Sequence, residues 1–498
     1  MARKAASTKS KSTKKSANQP KPASKKKAVT NKVLAWQDDP ISKLPAIQVP
    51  VPTLGKAPLK LKIKGTAVSP GIYDTGTPQF RYWNAAAALR RGADFWAPLL
   101  RVKRWQPGAV LPVGLDEGQD LNAYYDREEL AFFHDTAGGT VVYSAESPDV
   151  AIHELGHACL DAHRPELFDA PYIEVGSFHE SFGDMSAILS ALQLPSIRAA
   201  AMSGIKGRKS SQLSRLAEQL GWALRKIDPS LVNKDCLRNA YNSFNYADPD
   251  TLPDDAPASK LCAEVHSFSR VFTGAFYDIL SAMLKIRSAN PTDADLVAVA
   301  KDAARLLMDA ITGAPVQPDY YAQVASHMID ADTARFAGRY RSALTKTFLK
   351  RKMIPPQALH GLSAVKGKGK GKAATGGGTA AAAQKPPKPK IHKVKLSAKD
   401  LGLGDGTLIV DAPIEQKSFP TAAAAIMHKN VDTNTNVQRA TQRFVQMLVA
   451  RNRIEKEPQP KHKVAVGEHG RHPRTHALVE TAEGMKLVRR RFDCGPCC

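Results

Sequence analysis

The sequence predicts a mixed α+β protein, and three observations support this fold class. Short strand-like segments bounded by turn residues dominate the chain up to about residue 150. From there to about residue 355, apolar residues recur at the spacing of helices. The N-terminal end and a segment after residue 360 are rich in lysine and poor in large apolar side chains. We therefore expect a strand-rich lobe, a helical lobe and basic appendages.

The strand-rich lobe is predicted at 33–150. Within it, KLKIKG at 60–65 and GGTVVYS at 138–144 have the composition of strands and turns. Between them, FRYWNAAAALRRGADFWAPLL at 80–100 has the spacing of a helix. One helix is therefore expected to pack against this lobe.

The helical lobe is predicted at 151–355, which gives a body at 33–355. Three stretches carry apolar residues at i, i+3, i+4 and i+7. They are SQLSRLAEQLGWALRKI at 211–227, VFTGAFYDILSAMLKI at 271–286 and DADLVAVAKDAARLLMDAI at 293–311.

The appendages have three parts. Residues 1–32 cannot bury enough apolar surface to offset the entropy of ordering, so we predict a disordered basic tail. Residues 361–396 are rich in Gly, Lys and Pro, which indicates a linker. Residues 397–498 are predicted to form a small basic α+β module, with a helix at 433–454 and a hairpin at 476–492.

The charge is concentrated at the two ends. The chain has a net charge of +24. Residues 1–32 carry +11 and residues 361–498 carry +14, while residues 33–360 carry −1. Basic ends of this kind attract nucleic acid, anionic membranes or acidic proteins. A solvated tail that only maintains solubility explains the same charge equally well.

The composition also bears on location. No apolar run approaches the 18 residues of a membrane span, and the basic N-terminus lacks the apolar segment of a signal peptide. Six cysteines in 498 residues do not indicate a disulfide scaffold. We expect a cytoplasmic protein, with association with the nucleoid or nucleus as the alternative that its basic tails suggest.

The motif HELGH at residues 153–157 predicts a metal site. On a helix, His153 and His157 are one turn apart on the same face, where both imidazoles can bind one zinc ion. A catalytic zinc needs a third protein ligand and an open position for water. Glu154 would lie beside that water as general base. An ordinary structural helix can carry the same five residues by chance.

A second helix is predicted from EVGSFHESFGDMSAIL at 174–189, and it supplies the remaining groups. Glu180 and Asp184 lie four residues apart, on one face. Glu180 is the candidate third ligand, and Asp184 can bind the free nitrogen of a ligand histidine. The alternative is a pair of surface carboxylates on an amphipathic helix.

These two segments together resemble the thermolysin family of zinc metallopeptidases, in which HExxH is followed by a helix that carries a glutamate ligand and, four residues on, an aspartate. The resemblance implies a two-lobed fold with the active-site helix between the lobes. It also implies that His153, His157 and Glu180 bind one catalytic zinc ion, that Glu154 is the base and that Asp184 supports a ligand histidine.

Three further segments resemble the family in the same chain order. LNAYYD at 121–126 is similar to its substrate-binding edge strand, which implies that Asn122 and Ala123 hold the substrate. DCLRNAYNSFNYADPD at 235–250 implies that Arg238 binds a substrate carbonyl. EVHSFSRVFTGAFYDI at 264–279 implies that His266 stabilises the oxyanion. Without the resemblance, a histidine at the start of an apolar helix is more often structural.

The chain departs from the family at several positions. Its oxyanion tyrosine is not fixed by alignment, and Tyr172 is the nearest candidate. The family aspartate that orients the catalytic histidine is replaced by Leu261, and Glu264 stands at a different spacing. After Glu180 the family has an acidic calcium cluster, but this chain continues SALQLPSIRAAAMSGIKGRKSS, without a carboxylate. We therefore expect no calcium there. Asp149 is expected only to cap the helix.

The remaining expectations concern the substrate pocket and the cysteines. By the resemblance, Val141, Val150 and Leu237 line the pocket for the residue after the scissile bond, which predicts a hydrophobic preference. Cys159, Cys236 and Cys262 are expected to be buried, inert thiols. The chain ends CGPCC, where no helix can follow to give thioredoxin chemistry. A disulfide or a metal contact by these thiols stays open.

The sequence thus predicts a zinc metalloendopeptidase that acts on proteins or peptides. The alternative is a nucleic-acid-associated protein with basic tails, in which the zinc lobe is latent or structural.

Overall fold

The computed structural model of the protein describes residues 31–100, 102–356, 388–415, 433–456 and 474–496. The first 30 residues of the predicted tail and residues 361–387 of the predicted linker lie outside this set. Helices and strands are interspersed along the described residues, so the predicted α+β class is confirmed. The linker prediction extends too far, because a strand begins at Lys390.

The first part of the body contains eight strands and one long helix. The helix α1 (Pro78–Leu100) packs on the first strand and on the helix that follows the eighth strand. The strands are β1 (Lys32–Ala35), β2 (Ile47–Pro50), β3 (Lys60–Ile63), β4 (Val110–Gly114), β5 (Ala123–Tyr125), β6 (Leu130–Phe132), β7 (His134–Ala137) and β8 (Thr140–Tyr143).

The helices of the body follow. They are α2 (Pro148–His163), α3 (Glu166–Asp169), α4 (Ile173–Ala191), α5 (Pro195–Gly207), α6 (Glu218–Ile227), α7 (Val265–Arg287), α8 (Asp293–Gly313), α9 (Tyr320–Phe336) and α10 (Arg341–Lys350), with the two-residue strands β9 (Arg215–Leu216) and β10 (Arg238–Asn239) between them. Helix α4 packs against both α2 and α7, and every one of its residues is buried. This central position explains why its sequence has little amphipathic character.

The predicted helix at 211–227 is only partly correct. A capping box between Ser211 and Ser214 closes a single short turn. Ala217 then adopts the left-handed conformation (φ 51°), which changes the direction of the backbone. Helix α6 begins at the next residue, Glu218. The apolar periodicity spans this break and therefore could not reveal it.

The C-terminal residues form a second sheet and one helix. The elements are β11 (Lys390–Ser397), β12 (Thr407–Ile414), α11 (Thr433–Ala450), β13 (Ile454–Glu455), β14 (His476–Thr481) and β15 (Gly484–Arg489). The sheet order is β11-β12-β15-β14-β13. The predicted helix and hairpin are both present. An ion pair between Arg164 and Glu415, with both side chains fully buried at 2.8 Å, joins this part to the body.

The last strand leaves this sheet and joins the body. Strand β16 (Phe492–Asp493) completes a five-stranded sheet of order β16-β5-β6-β4-β3. It runs antiparallel to β5, with Phe492 opposite Tyr125 and Asp493 opposite Tyr124. The sequence did not indicate this pairing.

Among the described residues, no single helix has the length and apolar character needed to cross a membrane. Helices α4 and α5 meet that condition only when taken together, and they are bent by 115° at their junction.

Candidate metal centre

Helix α2 begins immediately before the HELGH motif. The Ser147 side chain accepts a hydrogen bond from the Val150 amide as N-cap, and Pro148 occupies the first helical position. Asp149, predicted to cap this helix, does not take that role. The helix is then regular through the motif, so His153 and His157 project from one face.

Two glycines allow α2 and α4 to approach each other at the site. A Cβ atom on Gly183 would lie 2.6 Å from the His153 ring, and one on Gly156 would lie 2.8 Å from the Ser186 hydroxyl. Larger residues at either position would push the helices apart. The glycine inside HELGH is thus a packing requirement as well as part of a motif.

His153, His157 and Glu180, hereafter the metal triad, converge at this contact. The two Nε2 atoms are 3.1 Å apart, and the Glu180 carboxylate lies 3.2 Å from His153 Nε2 and 3.7 Å from His157 Nε2. One ligand atom from each residue therefore lies within 4.8 Å of the others, and all three residues are buried. This is the arrangement that the sequence predicted for metal binding.

The outer nitrogen of each histidine has a buried partner. His153 Nδ1 lies 3.1 Å from Asp184 Oδ1, as predicted, while His157 Nδ1 lies 2.9 Å from Nδ1 of His179. These contacts fix the rings and direct both Nε2 atoms towards one point. Burial, followed by the charge of His153, lowers the pKa of His157 well below its usual value, which favours the neutral ring that binds metals.

Glu154 is fully buried beside the triad. Neither of its carboxylate oxygens has a hydrogen-bond partner among the described residues. Burial, together with the negative charges of Glu180 and Asp493, raises the pKa of Glu154 to about 8. A buried carboxylate without a partner is costly unless another group, such as a metal-bound water, shares its environment.

The residues present therefore fit a metal ion. Two imidazoles and one carboxylate form the three-ligand set of catalytic zinc sites, which keep a further position open. Two unprotonated Nε2 atoms at 3.1 Å would repel each other unless a proton or a cation lay between them. The described residues thus contain a group able to hold a metal, although its geometry does not identify the element.

His266 lies at the edge of the triad, with its Nε2 atom 3.4 Å from Glu180 Oε2. Its Nδ1 atom is 2.7 Å from Oε1 of Glu264, whose side chain also accepts the amides of His266 and Ser267 as N-cap of α7. Glu264 therefore orients His266 from the cap position, despite its unusual spacing from the histidine. This role was not predicted.

Arg238 and Asp184 form a buried ion pair beside His153. The shortest of their contacts joins Nη2 to Oδ1 at 3.0 Å, and Nε also lies within 3.2 Å of both carboxylate oxygens. Although burial opposes ionisation, the Arg238 charge holds the pKa of Asp184 at about 2. Asp184 thus stays ionised and links a ligand histidine to the arginine predicted to bind substrate.

The predicted substrate strand is close to the triad, and β16 lies along it. The Asn122 Nδ2 atom donates to Asp493 Oδ2 at 3.3 Å, and the Ala123 carbonyl accepts the Cys494 amide at 2.9 Å. Cys494 is buried, and it has no disulfide partner among the described residues. Cys497 and Cys498 lie outside the described residues. Cys159, Cys236 and Cys262 are buried and free, as predicted.

The roles of two further sets of residues stay predictions. The Tyr172 hydroxyl donates to the Pro413 carbonyl at 3.2 Å, a contact that lends no support to the catalytic role predicted for it. Val141 is 46% exposed, whereas Val150 and Leu237 are buried. The pocket for the residue after the scissile bond therefore remains a prediction.

A second buried group of metal-binding type lies near the start of α2. Asp38, Asp149 and Glu218, hereafter the acidic cluster, each place a carboxylate oxygen within 4.8 Å of the others. Asp149 also accepts the Ala217 amide at 3.1 Å. Burial raises the pKa of Asp149 well above its usual value, and that of Glu218 to about 9. The expectation that no calcium binds concerned the segment after Glu180, and the acidic cluster lies outside that segment.

Comparison with known proteins adds no family assignment. No protein-family model matches the chain, and no curated protein matches it in sequence.

Proposed function

We propose that the protein is a zinc-dependent endopeptidase that hydrolyses peptide bonds with a metal-activated water. The observation that carries this proposal is the buried Glu154 carboxylate, which lies beside the converging metal triad and has no hydrogen-bond partner among the described residues. A purely structural metal site needs four ligands and no adjacent base. A hydrolytic site needs three ligands, an open position and a base, and these residues provide that set.

Bound zinc supplies two effects, since it lowers the pKa of a water molecule and polarises the scissile carbonyl. The residues of the chain would do the rest. Glu154 takes the proton of the attacking water and passes it to the leaving amine. Its buried carboxylate has no hydrogen-bond partner among the described residues, so it is available to accept and release that proton.

His266 and Arg238 would stabilise the oxygen atoms of the reacting peptide. The carboxylates of Glu180 and Glu264 raise the pKa of His266 to about 9, against the effect of burial, so its Nε2 can act as a charged donor. The Arg238 guanidinium already donates to a backbone carbonyl, that of Gly495, at 2.9 Å. Asn122 and Ala123 would hold the backbone of the substrate as an added strand.

A peptide substrate is favoured over a small molecule by this strand geometry. The exposed groups of a sheet edge recognise the backbone of an extended chain and leave side-chain choice to pockets. A hydrophobic preference, expected from Val141, Val150 and Leu237, is a further part of the proposal. A peptide library with varied residues after the scissile bond measures it directly.

The test is hydrolysis of a quenched peptide library by wild type and Glu154→Gln, with zinc quantified in each. We expect about one zinc per chain in both and turnover only in the wild type. Glu174→Gln is a matched control, because Glu174 is a buried glutamate of α4 that binds Tyr246 and the Tyr321 amide. Turnover by Glu154→Gln equal to that of wild type would remove Glu154 as the base.

A second candidate rests on the charge distribution. Residues 1–32 and 361–498 carry all of the net positive charge, which suits binding to nucleic acid through phosphate contacts. The metal centre would then be latent or structural. This candidate predicts DNA retention that falls steeply with salt and no turnover in any variant, whereas deletion of residues 1–32 would lower retention alone.

A further inference from the structure

The substrate groove and the C-terminal strand occupy the same place. Strand β16 extends the sheet at β5, and the Cys494 amide donates to the Ala123 carbonyl. Resting on the proposed function, we propose that residues 492–495 are an internal, substrate-like inhibitor, with the Cys494 thiolate as fourth ligand of the zinc. Turnover by the wild type would therefore be slow until this strand is displaced.

The strand is held through its backbone by the groups assigned to catalysis. The His266 Nε2 atom lies 2.6 Å from the Asp493 carbonyl and 3.3 Å from the Gly495 amide. Arg238 donates to the Gly495 carbonyl at 2.9 Å. Since contacts to backbone atoms are those an extended substrate would make, a substrate and this strand cannot be bound together.

The Cys494 side chain points to the metal triad rather than to solvent. Its Sγ atom lies within 4.8 Å of a ring nitrogen of His153 and of a carboxylate oxygen of Glu154, and 3.8 Å from Arg238 Nη2. Thiolate sulfur is a preferred zinc ligand, with a bond of about 2.3 Å. Coordination requires loss of the thiol proton, and the adjacent Glu154 carboxylate can accept it. The thiolate would then replace the water on which hydrolysis depends.

Side-chain contacts of Phe492 and Asp493, the two residues before Cys494, keep the strand in place. Phe492 is buried, and its ring stacks on His179 with centroids 4.0 Å apart, while the Arg489 guanidinium lies 4.2 Å from the same ring. The Asp493 carboxylate pairs with Arg453 at 3.1 Å. These contacts use buried aromatic and charged groups, so displacement requires a specific event such as proteolysis, thiol modification or binding of a partner.

The experiment uses the full chain with zinc replaced by cobalt, which reports ligation independently of activity. A thiolate bound to cobalt gives a charge-transfer band in the near ultraviolet. We expect the band in wild type and in the control Cys262→Ser, whose thiol is also buried, but not in Cys494→Ser. Equal bands in wild type and Cys494→Ser would overturn the assignment of Cys494 as a ligand.

Peptide turnover by the zinc-loaded forms tests whether the C-terminal strand slows hydrolysis. We expect Cys494→Ser and Phe492→Ala to raise kcat/KM by at least about tenfold over wild type, because each weakens the closed state. Phe492→Ala leaves the thiol in place and separates anchoring from ligation. Equal turnover in all forms would overturn the inference while the peptidase proposal stands. A band that depends on Cys494, with no turnover in any form, would support ligation and overturn the peptidase proposal.

Discussion

Two buried groups of metal-binding type lie along α2, and they differ in how their atoms are held. In the metal triad, partners such as Asp184 and His179 fix the outer nitrogens of the histidines, and the inner atoms face one another. In the acidic cluster, donors from the surrounding chain already bind the carboxylates, as Gln212 binds Asp38 and Arg215 binds Glu218. Proximity alone therefore does not define a metal centre.

Charge separates the two groups as well. The triad combines one carboxylate with two imidazoles, so a divalent cation gives it a modest net charge. The acidic cluster combines three carboxylates with a fourth, Asp39, whose pKa burial raises to about 7. Raised carboxyl pKa values mean that the folded protein relieves this repulsion by binding protons. The comparison predicts zinc at the triad and proton binding at the cluster.

The largest effect is expected from loss of a triad ligand. His157→Ala should reduce bound zinc from about one per chain to near zero and abolish turnover. If zinc is present at about 1,000 times its Kd, its loss would lower the free energy of unfolding by about 4 kcal/mol. The control is Asp149→Asn in the acidic cluster, which should keep its zinc. Equal loss of zinc in both variants would contradict the distinction drawn between the two groups.

The second largest effect is expected from a change at Asp184, the carboxylate that contacts the ligand His153. Asp184→Asn should weaken zinc binding by about 10- to 100-fold, since the His153 ring loses its charged acceptor. Competition with a chelator of known affinity measures the change. Asp278→Asn removes a similarly buried ion pair, with Arg351 at 3.0 Å, but away from the metal, and should leave zinc affinity unchanged. Matching losses in both variants would indicate a general effect of destabilisation.

A smaller effect is expected where α2 meets α4. Gly183→Ala would bring a methyl group within 2.6 Å of the His153 ring, and overpacking of this kind costs about 1–3 kcal/mol. Thermal or urea unfolding of the metal-free protein would reveal it. In Gly207→Ala the nearest atom would lie at 3.6 Å, an ordinary contact, so little change is expected there. Similar stabilities for the two variants would mean that the helices separate easily.

The smallest effect is a pH dependence of stability from the acidic cluster. Burial and the neighbouring carboxylates raise the pKa of Glu218 from 4.5 to about 9 in the folded protein. The unfolded chain releases this proton first, so stability falls as pH rises from about 4.5 to about 9. Because the neighbouring carboxyls of Asp38, Asp39 and Asp149 can bind the proton instead, Glu218→Gln should reduce this fall by only about 1 kcal/mol. The exposed Glu480→Gln should not, and an unchanged slope in Glu218→Gln would remove Glu218 as a source.

The sequence predicted the site best where the functional residues follow the periodicity of a helix. His153 and His157 are four residues apart, as are Glu180 and Asp184, and a helix turns both spacings into a shared face. The role of Glu264 escaped prediction for the opposite reason. Its carboxylate reaches the His266 ring by folding back from the cap of α7, which no helical or strand period encodes.

The sequence could not predict contacts between segments that are far apart in the chain. Asn122 and Asp493 are 371 positions apart, and neither neighbourhood contains a signal for the other. The terminal CGPCC suggested a metal contact only as one of two open options. The hydrogen bond of Tyr172 was equally impossible to foresee, because its acceptor, the Pro413 carbonyl, is 241 positions away. Pairing of this kind depends on the whole fold rather than on a local pattern.

The position of β16 also bears on how the protein avoids aggregation. With β16 in place, β5 is an interior strand between two neighbours. Without it, β5 would present unpaired amides and carbonyls along a sheet edge flanked by Tyr124 and Phe133, and such edges pair readily with strands of other chains. Displacement of β16 would therefore expose the protein to self-association through the edge of β5. In its closed position, the same strand would both inhibit hydrolysis and protect the protein from aggregation.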